Sequence, residues 1–234
     1  MLDFSTLSVS EETKQILSEF HIDFVFQPIF DRNNQIFAYE ALMRPENIFI
    51  SDFIKQKAEE CKLHELEIAT FFGALYVFEK RGYQTKININ SFPSENLTEK
   101  EFTELLSCFP GMDKNMIIEI LEYTDYSERI WKEKIEMIKK YPDITIALDD
   151  FGTGNNNLTA ISQYTPAIIK LDRTITKDVH LRANKAGAVF SLIRYFHELN
   201  MQVLAEGVEL KDEYTLLKAM GIDYFQGYYL GKPM

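Results

Sequence analysis

The sequence predicts an α/β fold: a (β/α)8 barrel of the TIM type, opened by a β-hairpin so that its first strand is antiparallel. Three observations carry the prediction. Eight short β-rich runs recur along the 234 residues, helix-like stretches separate most of them, and polar residues stand where the runs end. A chain of this length with 46% hydrophobic residues is able to bury the core of a single barrel.

Residues 1–23 are expected to form a helical extension packed on the barrel, and residues 24–234 the barrel itself. The strand-like runs are Phe24–Ile29, Ile36–Met43, Thr85–Ile89, Met116–Leu121, Ile144–Asp149, Ala167–Leu171, Gln202–Ala205 and Asp223–Gln226. Helical patterns fall at Ser51–Arg81, broken near Cys61–His64, and at Ser94–Cys108, Ser127–Tyr141, Asn157–Tyr164, Ala183–Asn200 and Leu210–Met220. Only Phe30–Gln35 separates the first two strands, too few residues for a helical crossover, and Asn33-Asn34 has turn chemistry. A turn centred there sets Gln27 opposite Glu40.

Composition narrows the function. A net charge of −11 and a pI near 4.9 argue against tracking along DNA or RNA, which needs clustered Lys and Arg. An anionic substrate would need help from metal ions. The two cysteines, Cys61 and Cys108, make no disulfide framework, and with no signal-like leader and no apolar run of about 18 residues the expectation is a cytoplasmic protein without a membrane span. Cys61 and His64 share a helical spacing, read as an ordinary helix face.

The polar residues at strand ends are Glu40, Asn88, Glu119, Asp149 with Asp150, Lys170, Glu206 and Gln226. A closed barrel brings such ends to one mouth, where barrel enzymes keep their chemistry. Asp149 and Asp150 would point to opposite faces of a regular strand, so they converge only where the strand stops and the backbone turns. Two carboxylates about 4 Å apart repel by roughly 4 kcal/mol at an effective dielectric near 20, which a cation would relieve. The other reading has Asp150 capping the next helix and Asp149 solvated. Five carboxylates and one amide, with no Cys or His, form an oxygen-donor set suited to two divalent cations, Mg²⁺ or Mn²⁺. Asn88 and Asn90 share a strand face, and spacing does not choose between them.

Taken with their neighbours, these residues resemble a known family. Gln27-Pro28-Ile29, Glu40-Ala41-Leu42-Met43-Arg44, Ile87-Asn88-Ile89-Asn90, Glu119-Ile120-Leu121-Glu122, Asp149 to Gly154, Lys170-Leu171-Asp172, Ala205 to Glu209 and Gln226-Gly227-Tyr228 are similar, in order, to motifs of the EAL-domain phosphodiesterases that degrade cyclic di-GMP. The resemblance implies hydrolysis of cyclic di-GMP to linear pGpG by two-metal activation of water. It implies metal ligation by Glu40, Asn88, Glu119 and Asp149, with Asp149 bridging to a second ion that Asp150 also binds and Glu206 joining the cluster. It further gives Lys170 the task of holding and helping deprotonate the attacking water, and Gln226 the task of steadying that network. Gln27, Arg44 and Asp172 become substrate contacts, and Glu122 and Glu209 supporting acids beyond the ligands. A homodimer and a regulatory protein partner are expected alongside.

Three departures stand out: a short segment from Pro45 to Phe49 after Arg44, Leu121 where the family usually has Thr, and Asn155-Asn156-Asn157 after Gly154. They bear on substrate access, rate and regulation. Two rival readings stay open: a catalytically weak EAL-type receptor for cyclic di-GMP acting through a protein partner, and a Schiff-base Lys170. The second needs a lowered lysine pKa, which five neighbouring acids oppose.

Overall fold

The computed structural model describes residues 4, 6–121, 128–153, 161 and 166–234. Eight strands close into a barrel in chain order: β1 (Ile22–Asp31), β2 (Ile36–Pro45), β3 (Lys86–Ser91), β4 (Met116–Ile120), β5 (Thr145–Phe151), β6 (Ile168–Leu171), β7 (Gln202–Ala205) and β8 (Tyr224–Phe225). β1 runs antiparallel to both β2 and β8, and every other pair is parallel. The hairpin register sets Gln27 opposite Glu40, as the Asn33-Asn34 turn requires, and Asn34 takes the left-handed conformation that such a turn needs.

Among the described residues the helices are α1 (Glu11–Glu19), α2 (Ile50–Glu59), α3 (Leu63–Lys80), α4 (Glu99–Cys108), α5 (Glu128–Ile138), α6 (Arg173–Thr176), α7 (Ala183–Glu198) and α8 (Lys211–Met220). None is long and apolar enough to cross a membrane. The break between α2 and α3 falls at Cys61, whose φ of 56° is left-handed and ends the helix. Of the predicted helix over Asn157–Tyr164 only Ile161 is among the described residues, and Glu122, Gly154 and Asn155 to Asn157 lie outside them.

Helix α3 explains why α1 packs where it does. Every residue from Leu66 to Phe78 is buried, so this helix has no solvent face and needs covering on both sides. The barrel wall covers one side. Helix α1 lies against the other, and Leu17 and Phe20 enter the same apolar core. The strand predicted to start at Phe24 begins at Ile22, directly after Phe20.

A second, smaller apolar cluster fills the barrel itself: Ile29, Ala38, Ile117, Ala147, Ile168, Leu204 and Tyr224, one residue from each of seven strands. Side chains on a strand alternate faces, so the inward position one layer higher is two residues further on. In the parallel strands those positions are Glu40, Glu119, Asp149, Lys170, Glu206 and Gln226; in antiparallel β1 the position is Gln27, two residues earlier. Asn88 pairs with Glu40 and completes the layer. An apolar plug therefore forms the floor on which the polar layer stands.

Where β7 and β8 leave the barrel, Gly227 has φ 154°, and a Cβ there would lie 2.1 Å from the carbonyl oxygen of Val208. Backbone meets backbone at this point, so no side-chain movement relieves the clash. Gly227→Ala is expected to destabilise the protein by about 2–3 kcal/mol, seen as a lower urea midpoint with an unchanged slope.

Candidate metal centre

Lys170 stands at the middle of the polar layer, with its side chain 2% exposed. Its Nζ lies 2.6 Å from Glu119 Oε1, 2.7 Å from Glu206 Oε1, 3.1 Å from Asp149 Oδ1 and 3.9 Å from Glu40 Oε2. Burial alone would lower the lysine pKa, but the charges of Asp149, Glu119, Glu206 and Glu40 outweigh it and hold the ammonium well above its ordinary range. Lys170 is thus a fixed cation with donors aimed at three carboxylates, the wrong state for a Schiff-base nucleophile.

One cation does not balance so many acids. Burial, then the charge of Asp149, raises the Glu119 carboxyl well above its usual range against the pull of Lys170. Glu206 is raised in the same way, by burial first and by Asp149 and Glu40. Buried carboxylates in this condition either hold protons or gather further cations.

The sequence expects Asp149 and Asp150 to converge because β5 stops at Asp149, and here the structure differs. β5 continues to Phe151, and its pairing with β6 slips between Leu148 and Phe151, so that one extra residue is accommodated as a bulge. Asp150 takes a left-handed φ of 48° within it. The bulge turns two consecutive side chains toward one place: single carboxylate oxygens of Asp149, Asp150 and Glu206 all lie within 4.8 Å of one another. The Asp150 carbonyl accepts from the amide and hydroxyl of Thr153, at 3.1 and 3.0 Å, closing the turn.

The other expected ligands surround this trio. Asn88 is buried and donates from Nδ2 to Glu119, while its Oδ1 has no hydrogen-bond partner among the described residues. Asn90, half-buried one layer higher, donates to Glu40 Oε1 at 3.4 Å. Burial and the pairing with Glu119 place Asn88 within the acid layer, whereas Asn90 meets that layer from above. Gln226 donates to Glu40 Oε2, and its own Oε1 is also without a partner among the described residues. An orphaned amide oxygen in Asn88, carboxyls strained by mutual charge and an all-oxygen donor set fit a hard divalent cation.

A cleft of about 330 Å³ opens above these residues, bordered by Gln27, Glu40, Asp172, Glu206, Gln226 and Tyr228. Gln27 Nε2 donates to the Gly231 carbonyl at 3.1 Å. Asp172 accepts from the Thr174 amide at 2.7 Å and caps α6, so its carboxylate is fixed at the cleft wall. Arg44 is exposed, donates to the Met43 carbonyl at 2.9 Å, and borders a separate apolar recess of about 210 Å³ with Leu42, Asn90 and Leu121. Glu209 is half-exposed and bound to Arg173 at 2.6 Å, a surface pair at the cleft edge.

Two cleft residues escape the sequence reading. Arg173 binds the Gly207 carbonyl as well as Glu209, tying the loop after β6 to the loop after β7. Tyr228, 60% exposed, stands at the rim. Arg173 directly follows the Lys170-Leu171-Asp172 motif and Tyr228 closes the Gln226-Gly227-Tyr228 motif without having been given a role, and these positions are the signal that would have found them.

The EAL domain family model matches residues 10–233. The chain is 27% identical over 97% of its length to the probable cyclic di-GMP phosphodiesterase PdeD of Escherichia coli K12, of which it spans 44%. It is 30% identical over 91% of its length to the cyclic di-GMP phosphodiesterase TpdA of Vibrio parahaemolyticus, spanning 37% of that protein. The structure superposes on the cyclic di-GMP-bound form of a standalone versatile EAL protein from Vibrio cholerae O395 with a TM-score of 0.82, at 27% identity, covering 92% of this chain and 93% of that one. With a match over nearly its whole length and the barrel it calls for, the chain belongs to the EAL domain family.

Proposed function

We propose that this chain is a metal-dependent phosphodiesterase that hydrolyses cyclic di-GMP to linear pGpG. The observation that carries the reading is the convergence of Glu40, Glu119, Asp149, Asp150 and Glu206 with Asn88 around Lys170 at the barrel mouth. The names of PdeD and TpdA, and the ligand of the Vibrio cholerae structure, support cyclic di-GMP as the substrate.

Asp149, Asp150 and Glu206 would hold one divalent cation, and Asp149 with Glu40, Asn88 and Glu119 a second, either Mg²⁺ or Mn²⁺. Such a pair lowers the pKa of a bound water and stabilises the attacking and leaving oxygens in a phosphoester displacement. Lys170 keeps Glu119, Asp149 and Glu206 in fixed orientation and offers a donor at the centre of the layer, positioned to orient water. Gln226 holds Glu40 by its amide, and Gln27 and Asp172 line the cleft where the dinucleotide would lie. Arg44 presents a planar fork suited to a phosphate oxygen at the adjoining rim.

Chromatography of cyclic di-GMP incubated with the protein tests this directly. Linear pGpG is expected with Mn²⁺ or Mg²⁺, and none in EDTA. Tight binding without turnover under either metal would replace the enzyme with the receptor reading, and full turnover in EDTA would remove the metals.

A further inference from the structure

Away from the mouth, the described residues hold one more ion pair sealed from solvent. Glu67 of α3 and Lys134 of α5 are 0% and 3% exposed in their side chains and lie 3.0 Å apart. Neither belongs to the polar layer of the barrel. Glu67 accepts from the Ser91 hydroxyl and, at 3.0 Å, from the Phe92 amide; Lys134 donates to the Phe92 carbonyl at 2.6 Å. Both backbone polar groups of Phe92, where β3 leaves the sheet, are thus held by charged side chains from two different helices.

Apolar side chains of similar volume usually fill such a space at no loss of stability, so a buried pair is weak evidence of a stabilising role. Its location suggests another role. Ser91 follows Asn90 directly, and Asn88 is two residues earlier on the same face of β3. The Ser91 carbonyl accepts from the Leu121 amide at 3.2 Å, which extends the hold to the end of β4, two residues beyond Glu119.

We propose that Glu67 and Lys134 are positioning residues: their clamp fixes where β3 and β4 end, and so aims Asn88 and Glu119 at the candidate metal centre. The inference rests on the metal-dependent reading above. It assigns the pair to the geometry of the site, with stability as a separate property.

Three variants test it by Mn²⁺ titration calorimetry and thermal melting. The apolar pair E67L/K134M removes the clamp, the neutral pair E67Q/K134Q removes both charges but retains an acceptor for the Phe92 amide and a donor for its carbonyl, and S91A removes a single hydroxyl. E67L/K134M is expected to bind Mn²⁺ about tenfold more weakly, the loss typical when a group supporting a metal ligand is removed. E67Q/K134Q is expected to stay within about twofold of the parent protein, and S91A to weaken binding roughly threefold, in line with one hydrogen bond. Parent-like affinity in E67L/K134M, with only its melting temperature changed, overturns the proposal. So does parent-like affinity in S91A, which carries the test where the apolar pair fails to fold. A parent protein that binds no Mn²⁺ overturns the metal reading itself, a distinct result from parent binding that the variants leave intact.

Discussion

Replacing Lys170 by methionine is expected to lower cyclic di-GMP turnover by about 10³-fold without weakening Mn²⁺ binding. The ammonium lies within 3.1 Å of Glu119, Glu206 and Asp149, so methionine removes the central donor of the layer but leaves every carboxylate. Loss of one preorganised donor at a reacting centre costs roughly 10²–10³ in rate, and loss of a proton-handling group about 10²–10⁴. Metal affinity responds the other way. Lys170 competes with cations for the same oxygens, and its removal leaves the acids with more uncompensated charge, so Mn²⁺ is held at least as tightly. Without metal, K170M should be the less stable protein by about 3–5 kcal/mol, because buried carboxylates lose their partner. Initial rates by chromatography, titration calorimetry with Mn²⁺ and melting with and without the ion give the three readings. A variant that keeps its turnover would show that Lys170 serves only as counter-charge.

The polar layer was legible because strand periodicity is strict. Once eight runs are counted and a barrel is inferred, a charged residue two positions beyond an inward apolar one has to face the mouth. Glu40, Glu119, Lys170 and Glu206 follow from that rule, and the Gln27–Glu40 register follows from the length of the Asn33-Asn34 turn. What stayed hidden depended on contacts between distant residues. The bulge in β5 adds one residue without a glycine to announce it, so the sequence pattern ends the strand at Asp149. Lys134 sits on an amphipathic helix, where a lysine ordinarily marks the solvent side, and only the folded chain shows that its ammonium reaches the Phe92 carbonyl beside Glu67. Whether Asn88 or Asn90 joins the acids depended on depth along the barrel axis, a quantity that alternation does not encode.

The adjacent acids make the sharpest test of a two-ion centre. Asn is nearly isosteric with Asp and is well tolerated at positive φ, so Asp150→Asn keeps the left-handed bulge residue while removing one ligand charge. Asp150→Ala would mix ligand loss with backbone strain. If Asp149 bridges two ions and Asp150 serves one of them, the two substitutions differ in kind. D150N is expected to bind one Mn²⁺ with near-parental affinity and lose the second. D149N weakens both, since it removes the shared ligand and disturbs the contact with Lys170. Turnover should fall about 10³-fold in each, because under the proposed mechanism both ions would be needed to activate water and to stabilise the departing oxygen. Calorimetric stoichiometry separates these outcomes: two ions in the parent, one in D150N, and weak or absent binding in D149N. Two ions retained by D150N would leave Asp150 as a turn residue whose carbonyl closes on Thr153.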